Sequence, residues 1–403
     1  MFSSLFEKGF RSEQIICEVL NRLSKEINKS RTSAQISNFK SGDMSFFLDF
    51  NCGEQALFQH EDVDFLNDLI RLNFIITKCC PSDKDSIDFE SAFTEKGYSS
   101  YVNYLYAALS LALSGIDENV EELLNGIPLN IPFSKDVLKL IDELTIDVSH
   151  FNRSAVTSWL IFLDHPLVKI SNRIYIIDRK IFLNSIWRNL YFTLKSKDKN
   201  FTVKFGKYFE IYFKTYASKY VKPESIYRIE EKEVKQPDWK ITFSNYDLVF
   251  EQKAGIKPDD TLNSECPDSP RLVNQFISQR ILNKAGVQLN NYKPNPDKET
   301  ILIALTFEEL YSSYSIEDKL IKQYGRDFWV CSICDIEKLL ELSKRNPKQF
   351  QTIVDSKHQL DLNGELNGRS LRELFASNDC NFDSEFLADE RKRLIQEIQS
   401  FVR

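Results

Sequence analysis

Apolar residues fall at helical spacing through the first 150 positions of the chain. Ile15, Ile16, Val19, Leu20, Leu23 and Ile27 follow Ser12-Glu13 as the stripe of one helix, and Val63, Leu66, Leu69, Ile70 and Phe74 form that of another. Residues 101–113 predict a third helix, closed by Gly115. Residues 137–148 predict a fourth, with Leu138, Ile141 and Leu144 on one side. No repeat period or low-complexity tract breaks the pattern.

From residue 159 the runs shorten. Residues 159–163, 168–170 and 174–177 read as short strands, parted by His165-Pro166 and by Ser171-Asn172-Arg173, the last two strands forming a hairpin. Residues 181–194 return to helical spacing, and after a charged loop at 195–200 a long helix is expected over 205–220. Residues 226–230 are a short strand. Residues 236–243 and 247–253, joined by Ser244-Asn245, read as an antiparallel hairpin. A loop rich in Pro, Asp and Glu is expected over 257–270, beside the second hairpin strand. Arg280 and Lys284 then share a helix face, residues 301–305 form an apolar strand, and Phe328-Trp329-Val330 enters a helix at Asp335.

At 403 residues the chain is longer than most single domains, and 42% apolar residues supply material for large cores, which excludes a disordered polypeptide. Eight Cys are too few for a disulfide-stapled scaffold, and Glu7, Lys8 and Arg11 interrupt any signal-peptide run, so a cytoplasmic protein with reduced thiols is expected. Residues 97–116 carry no charge, but only 101–113 is strongly apolar, which suits a buried helix better than a membrane span. The net charge of −7 conceals an asymmetry. Residues 1–150 hold 13 Lys and Arg against 24 Asp and Glu, a net of −11, and the remainder carries +4. The acidic front repels polyanions; the back is where a phosphate-bearing ligand would sit.

The hairpin carries the chemistry. Period-2 alternation puts Val249, Glu251 and Lys253 on one face and Leu248, Phe250 and Gln252 on the other. A Glu and a Lys in an otherwise apolar strand are costly to bury unless paired or ligated. Asp238, at the start of the neighbouring strand, can reach the same face. Two carboxylates and an ammonium converging on one point suit phosphodiester hydrolysis. Hard oxygen ligands select Mg²⁺ or Mn²⁺, and the lysine can orient the attacking water and stabilise charge in the transition state.

Pro237-Asp238, twelve intervening residues and Glu251-Gln252-Lys253 resemble the signature of the PD-(D/E)XK nucleases. The resemblance extends to Glu210, on the helix where that superfamily often places a further acidic ligand. It extends also to residues 288–292, whose Gln288 and Tyr292 are similar to the QxxxY element of RecB-like members. It implies an α/β (α+β overall) chain in which a helical N-terminal domain precedes a restriction-endonuclease-like αβββαβ core with a mixed sheet. It also implies a metal-dependent endonuclease, acting most naturally on DNA, with a role in bacterial restriction or antiviral defence. Asp238, Glu251 and Glu210 would hold the metal, Lys253 would position water, Gln288 would orient substrate or lysine, and Arg280, Lys284 and Tyr292 would contact nucleic acid.

The expected divisions are an acidic helical domain at 1–150, for regulation, partner binding or support of the core, a connecting α/β segment at 151–200, the nuclease core at 201–345 and a helical extension at 346–403. A homo-oligomer is compatible with cutting two strands, and no membrane association is expected. The alternative, of a different class, is a nucleic-acid-binding or assembly subunit that keeps the fold without cleavage. Cys331-Ser332-Ile333-Cys334 has no second Cys pair at zinc-finger distance and reads as core packing. His60, His150, His165 and His358 lack ligand spacing, and no phosphate-binding Gly loop is present.

Overall fold

The computed structural model describes residues 65–113, 131–147, 161–170, 173–230, 233–255, 277–310, 313–363, 370–380, 382 and 384–402. The helix expected around Ile15 and the loop at 257–270 lie outside them. The described front is helical: Phe65–Lys78 (α1), Phe89–Glu95 (α2), Tyr101–Leu113 (α3) and Ser134–Glu143 (α4). Within the uncharged stretch Tyr101–Leu113 is a 13-residue helix, with Tyr101, Tyr104, Leu105 and Leu109 in the interior. No helix among the described residues is long and apolar enough to cross a membrane.

Two local expectations are corrected. The helix predicted to run to residue 148 ends at Glu143, and Leu138 is 45% exposed while Val137, Leu140 and Ile141 face inward. Thr145–Asp147 (β1) follows, because β-branched Thr145 and Ile146 favour extension and the Leu144 carbonyl accepts from Leu167 N at 3.1 Å. The strand predicted at 159–163 is replaced, over its described part, by the helical turn Ile161–Asp164 (α5). Leu167–Ile170 (β2) and Arg173–Ile176 (β3) do form the expected hairpin, and β1 joins β2 in parallel to complete a three-stranded sheet.

Arg179–Lys197 (α6) starts at Asp178, whose carboxylate accepts from Lys180 N and Ile181 N at 2.8 and 2.9 Å. Phe201–Tyr220 (α7) buries a stripe of Phe205, Phe209, Tyr212, Phe213 and Tyr216 at helical spacing. The larger sheet contains Ile226–Arg228 (β4), Trp239–Thr242 (β5), Tyr246–Lys253 (β6), Glu299–Thr306 (β7) and Phe328–Ser332 (β8), in that spatial order. β4, β5 and β6 pair antiparallel, whereas β6, β7 and β8 pair parallel. The crossover from β6 to β7 includes Ser278–Gly286, wound with the wider π spacing, and Val287–Asn290 (α8). That from β7 to β8 includes Ser313–Tyr324 (α9).

Alternation in β6, β7 and β8 separates two cores. Leu248, Phe250, Ile301, Ile303, Leu305 and Trp329 join the larger one beneath α7, while Val249, Leu302, Ala304, Phe328 and Val330 pack with Ile281, Leu289, Ile316 and Leu320. Strands covered on both faces read as continuous apolar runs, so Glu251 stands out among them. Ile333–Arg345 (α10) begins in a capping box of Ser332 and Asp335. Pro347–Asn363 (α11), Leu371–Ser377 (α12) and Glu385–Val402 (α13) follow. The larger core is contiguous from Leu69 in α1 to Ile398 in α13. Within it Arg71 meets Glu337 through two bonds of 2.8 Å.

Candidate active site

β6 places Glu251, Gln252 and Lys253 at its C-terminal end, after Tyr246, Leu248, Val249 and Phe250 have anchored it in both cores. Glu251 is 2% exposed. Its Oε1 accepts from the Lys253 ammonium, and its Oε2 is buried with no hydrogen-bond partner among the described residues. Asp238 immediately precedes β5: its backbone N–H donates to Phe250 O at 2.9 Å, and its Oδ2 accepts from Gln252 N at 2.7 Å. The hairpin ladder thus fixes Asp238 beside the Glu251–Lys253 end of its neighbour. Burial pushes the Asp238 carboxyl up to about 6, and the nearby Glu210 charge adds to this; the Gln252 N–H and Lys253 oppose it. Burial also pushes Glu251 up to about 8, reinforced by the charge of Asp238 and opposed by Lys253. One ammonium leaves these acids under-compensated.

Glu210 lies on α7 and is held by Arg228 on β4, Oε2 to Nη1 at 2.5 Å. The Arg228 guanidinium also lies over the Trp239 ring, 5.6 Å from its centroid, since Arg228 and Trp239 are directly paired in the sheet. Among the described residues no three His, Cys, Asp or Glu side chains are gathered as a ready metal cage. The third carboxylate, Glu210, is tied to a guanidinium. The donors present nevertheless fit a hard divalent cation, because the buried Glu251 Oε2 lacks a donor among the described residues and its neighbour is a second carboxylate.

Gln288 joins the group from α8: its Oε1 accepts from Lys253 Nζ at 3.4 Å and its Nε2 donates to Gln236 O at 3.3 Å. Tyr292 does not. The helix stops at Asn290, short of the turn that would align Tyr292 with Gln288, and Tyr292 packs in the second core. Its hydroxyl is pushed up, first by burial, and it lies near Lys240 and Asp247, at the opposite end of β6 from Lys253. Arg280 reaches the site's rim: a Cβ built on Gly255 would fall 2.5 Å from its Nη1, so the guanidinium lies against the backbone just past β6. Lys284 is exposed in the same π-wound segment.

Two residues the sequence reading passed over belong here. Arg228 was legible only as part of a short strand; its register opposite Trp239 is the signal that places it beside Asp238. Gln252 has both side-chain amide atoms buried without a partner among the described residues, next to the backbone N–H that holds Asp238. The Cys pair is accounted for by packing: Cys331 is buried in β8, Cys334 lies against Asp68 at 3.8 Å, and burial pushes both thiols well up. His358 is bonded to Asp327 at 2.7 Å and to Glu299 at 3.0 Å, and His165 Nδ1 lies 3.1 Å from Glu143 O.

No family model, curated protein or solved structure matches this chain. Its function therefore has to be argued from the site.

Proposed function

We propose that this chain is a metal-dependent nuclease of the PD-(D/E)XK type, hydrolysing phosphodiester bonds, with DNA as the first substrate to test. The observation that carries the reading is the buried Glu251, its Oε2 unpartnered, bonded to Lys253 and flanked by Asp238 at the end of one hairpin. The order of α7, the antiparallel β4–β5–β6, the crossover bearing Gln288 and the parallel β7 supports a restriction-endonuclease-like core.

A Mg²⁺ or Mn²⁺ held by Asp238 and Glu251, with Glu210 as third ligand, would polarise the phosphate and lower the pKa of a bound water. Lys253 would orient that water and donate to the phosphoryl oxygens, where negative charge grows in the transition state. Gln288 restrains the lysine by accepting a hydrogen bond from it, and through Gln236 O ties that restraint to the segment preceding Asp238. Arg280 offers a phosphate contact at the rim. A bacterial restriction or defence role is part of the same reading by analogy alone.

The rival is a nucleic-acid-binding or assembly subunit that does not cleave. One observation favours it: Glu210 is engaged by Arg228 rather than turned to the other two acids. Purified protein incubated with plasmid DNA and with RNA, in Mg²⁺, in Mn²⁺ and in EDTA, separates the two. Cleavage that needs the metal supports the nuclease; intact DNA and RNA in all three conditions overturn it.

A further inference from the structure

We infer that Arg228 is an exchangeable partner for Glu210: it holds that carboxylate while no cation is bound, and passes to a substrate phosphate when Glu210 turns toward the metal. The inference rests on the nuclease reading and adds to it a residue that couples metal uptake to substrate binding.

The geometry of the pair carries the argument. The Arg228 side chain is 61% exposed and that of Glu210 is 24% exposed. Ion pairs with an exposed member contribute little in water, so this one opens readily when a divalent cation competes for the carboxylate. Arg228 does not depend on Glu210 for its position. Its backbone is paired with Trp239, and the Trp239 ring supports the guanidinium from one side. When Glu210 leaves, the guanidinium therefore keeps its Trp239 support near Asp238 and loses its Glu210 acceptor. A planar guanidinium at such a place suits a phosphate, which it can engage through two parallel N–H···O bonds. The arrangement also accounts for the acidic trio remaining ungathered: a positive group already occupies its third member.

The consequence is reciprocal. Metal binding releases Arg228 to the nucleic acid, and nucleic acid drawing Arg228 away releases Glu210 to the metal. A fixed surface ion pair predicts no such linkage.

The test uses the full chain carrying Lys253→Ala, which blocks turnover, with and without Arg228→Gln, and with Lys214→Gln as a charge control. Lys214 is an exposed residue one turn along α7 from Glu210. Mn²⁺ binding is titrated calorimetrically without nucleic acid, and binding of a labelled DNA duplex is then measured at saturating Mn²⁺ and in EDTA. Arg228→Gln should tighten Mn²⁺ about two- to fivefold, the worth of an exposed competing pair, with Lys214→Gln changing it less. It should weaken metal-loaded DNA binding about tenfold, as expected for loss of a charged hydrogen bond, and reduce the factor by which Mn²⁺ tightens DNA. Unchanged or weaker Mn²⁺ binding, a shift no larger than that of the control, or unchanged metal-loaded DNA binding overturns the exchange. Should the Lys253→Ala parent take up neither Mn²⁺ nor DNA, the nuclease reading falls and this inference with it. Should it take up both while Arg228→Gln behaves like it, the exchange alone falls.

Discussion

Arg71 and Glu337 lie 266 positions apart in the chain and meet in the interior, guanidinium to carboxylate, through Nε–Oε1 and Nη2–Oε2 bonds of 2.8 Å. Tyr212 donates to the same Glu337 Oε1 at 2.6 Å, and Asp68 takes the remaining side of Arg71. The first described helix is thereby bonded to the helix behind β8, in one core with the sheet that bears the candidate site. Arg71→Leu leaves Glu337 buried without its counter-charge and should cost about 3–5 kcal/mol, read as a lower midpoint in denaturant. A fragment beginning at Phe151 strips the same partner together with the apolar face of α1, and should be insoluble. A soluble fragment that cleaves at the full-length rate would instead assign the front to regulation or docking.

Lys253→Ala should lower turnover by roughly 10²–10³-fold or more, since the ammonium serves charge that develops in the transition state. The fold and Mn²⁺ uptake should survive, because Lys253 is not a ligand. Asp238→Ala should lose both Mn²⁺ affinity and turnover. Paired calorimetric and cleavage measurements decide between these patterns, and wild-type activity in either variant removes the assignment.

The raised carboxyls of Asp238 and Glu251 give a signed pH dependence. Each binds its proton more tightly in the folded chain than in the unfolded one, so the metal-free protein should lose stability as pH rises from about 4 to about 8. A cation binds the deprotonated pair and reverses that loss. The rise in melting temperature on adding Mg²⁺ should therefore be larger at pH 8.5 than at pH 6. Glu251→Gln should flatten the difference; a metal effect independent of pH would contradict the site.

Gly255→Ala places a methyl group where the Arg280 guanidinium lies. The obstructed atoms are the end of a flexible side chain, so stability should change little while Arg280 is displaced. DNA binding should weaken as much as in Arg280→Ala, and the double variant should be no weaker than either single one. Additive losses measured by fluorescence anisotropy would show that the two residues act separately.

The parts of the site that one strand carries were legible in the sequence. Period 2 alone places Glu251 beside Lys253 and opposes both to Phe250, and a polar two-residue turn brings Asp238 to their neighbour. What depends on where an element stops was not legible. Tyr292 shares a face with Gln288 only if the helix continues, and Pro294 disfavours helical backbone at Lys293 just beyond the observed end. The strand Thr145–Asp147 was hidden because its residues prolong an apolar spacing that fits a helix equally well. The Arg228–Glu210 pair lay deeper still, since it arises from the docking of α7 against β4, which no local pattern encodes.

The contact of α1 with α13, together with the 2.9 Å bond from Tyr106 to Glu397, has a consequence for how the molecule comes into being. A ribosome delivers α1 more than three hundred residues before α13. Until then the apolar sides of α3 and α7 have only part of their cover, and the nascent chain must stay in solution with that surface open. The packing of α7, the helix that carries Glu210, is therefore finished late, when Phe386 reaches Tyr212 and Tyr216. Expression at lower temperature or with additional chaperone should raise the soluble yield for this reason, by lengthening the time an unfinished chain survives.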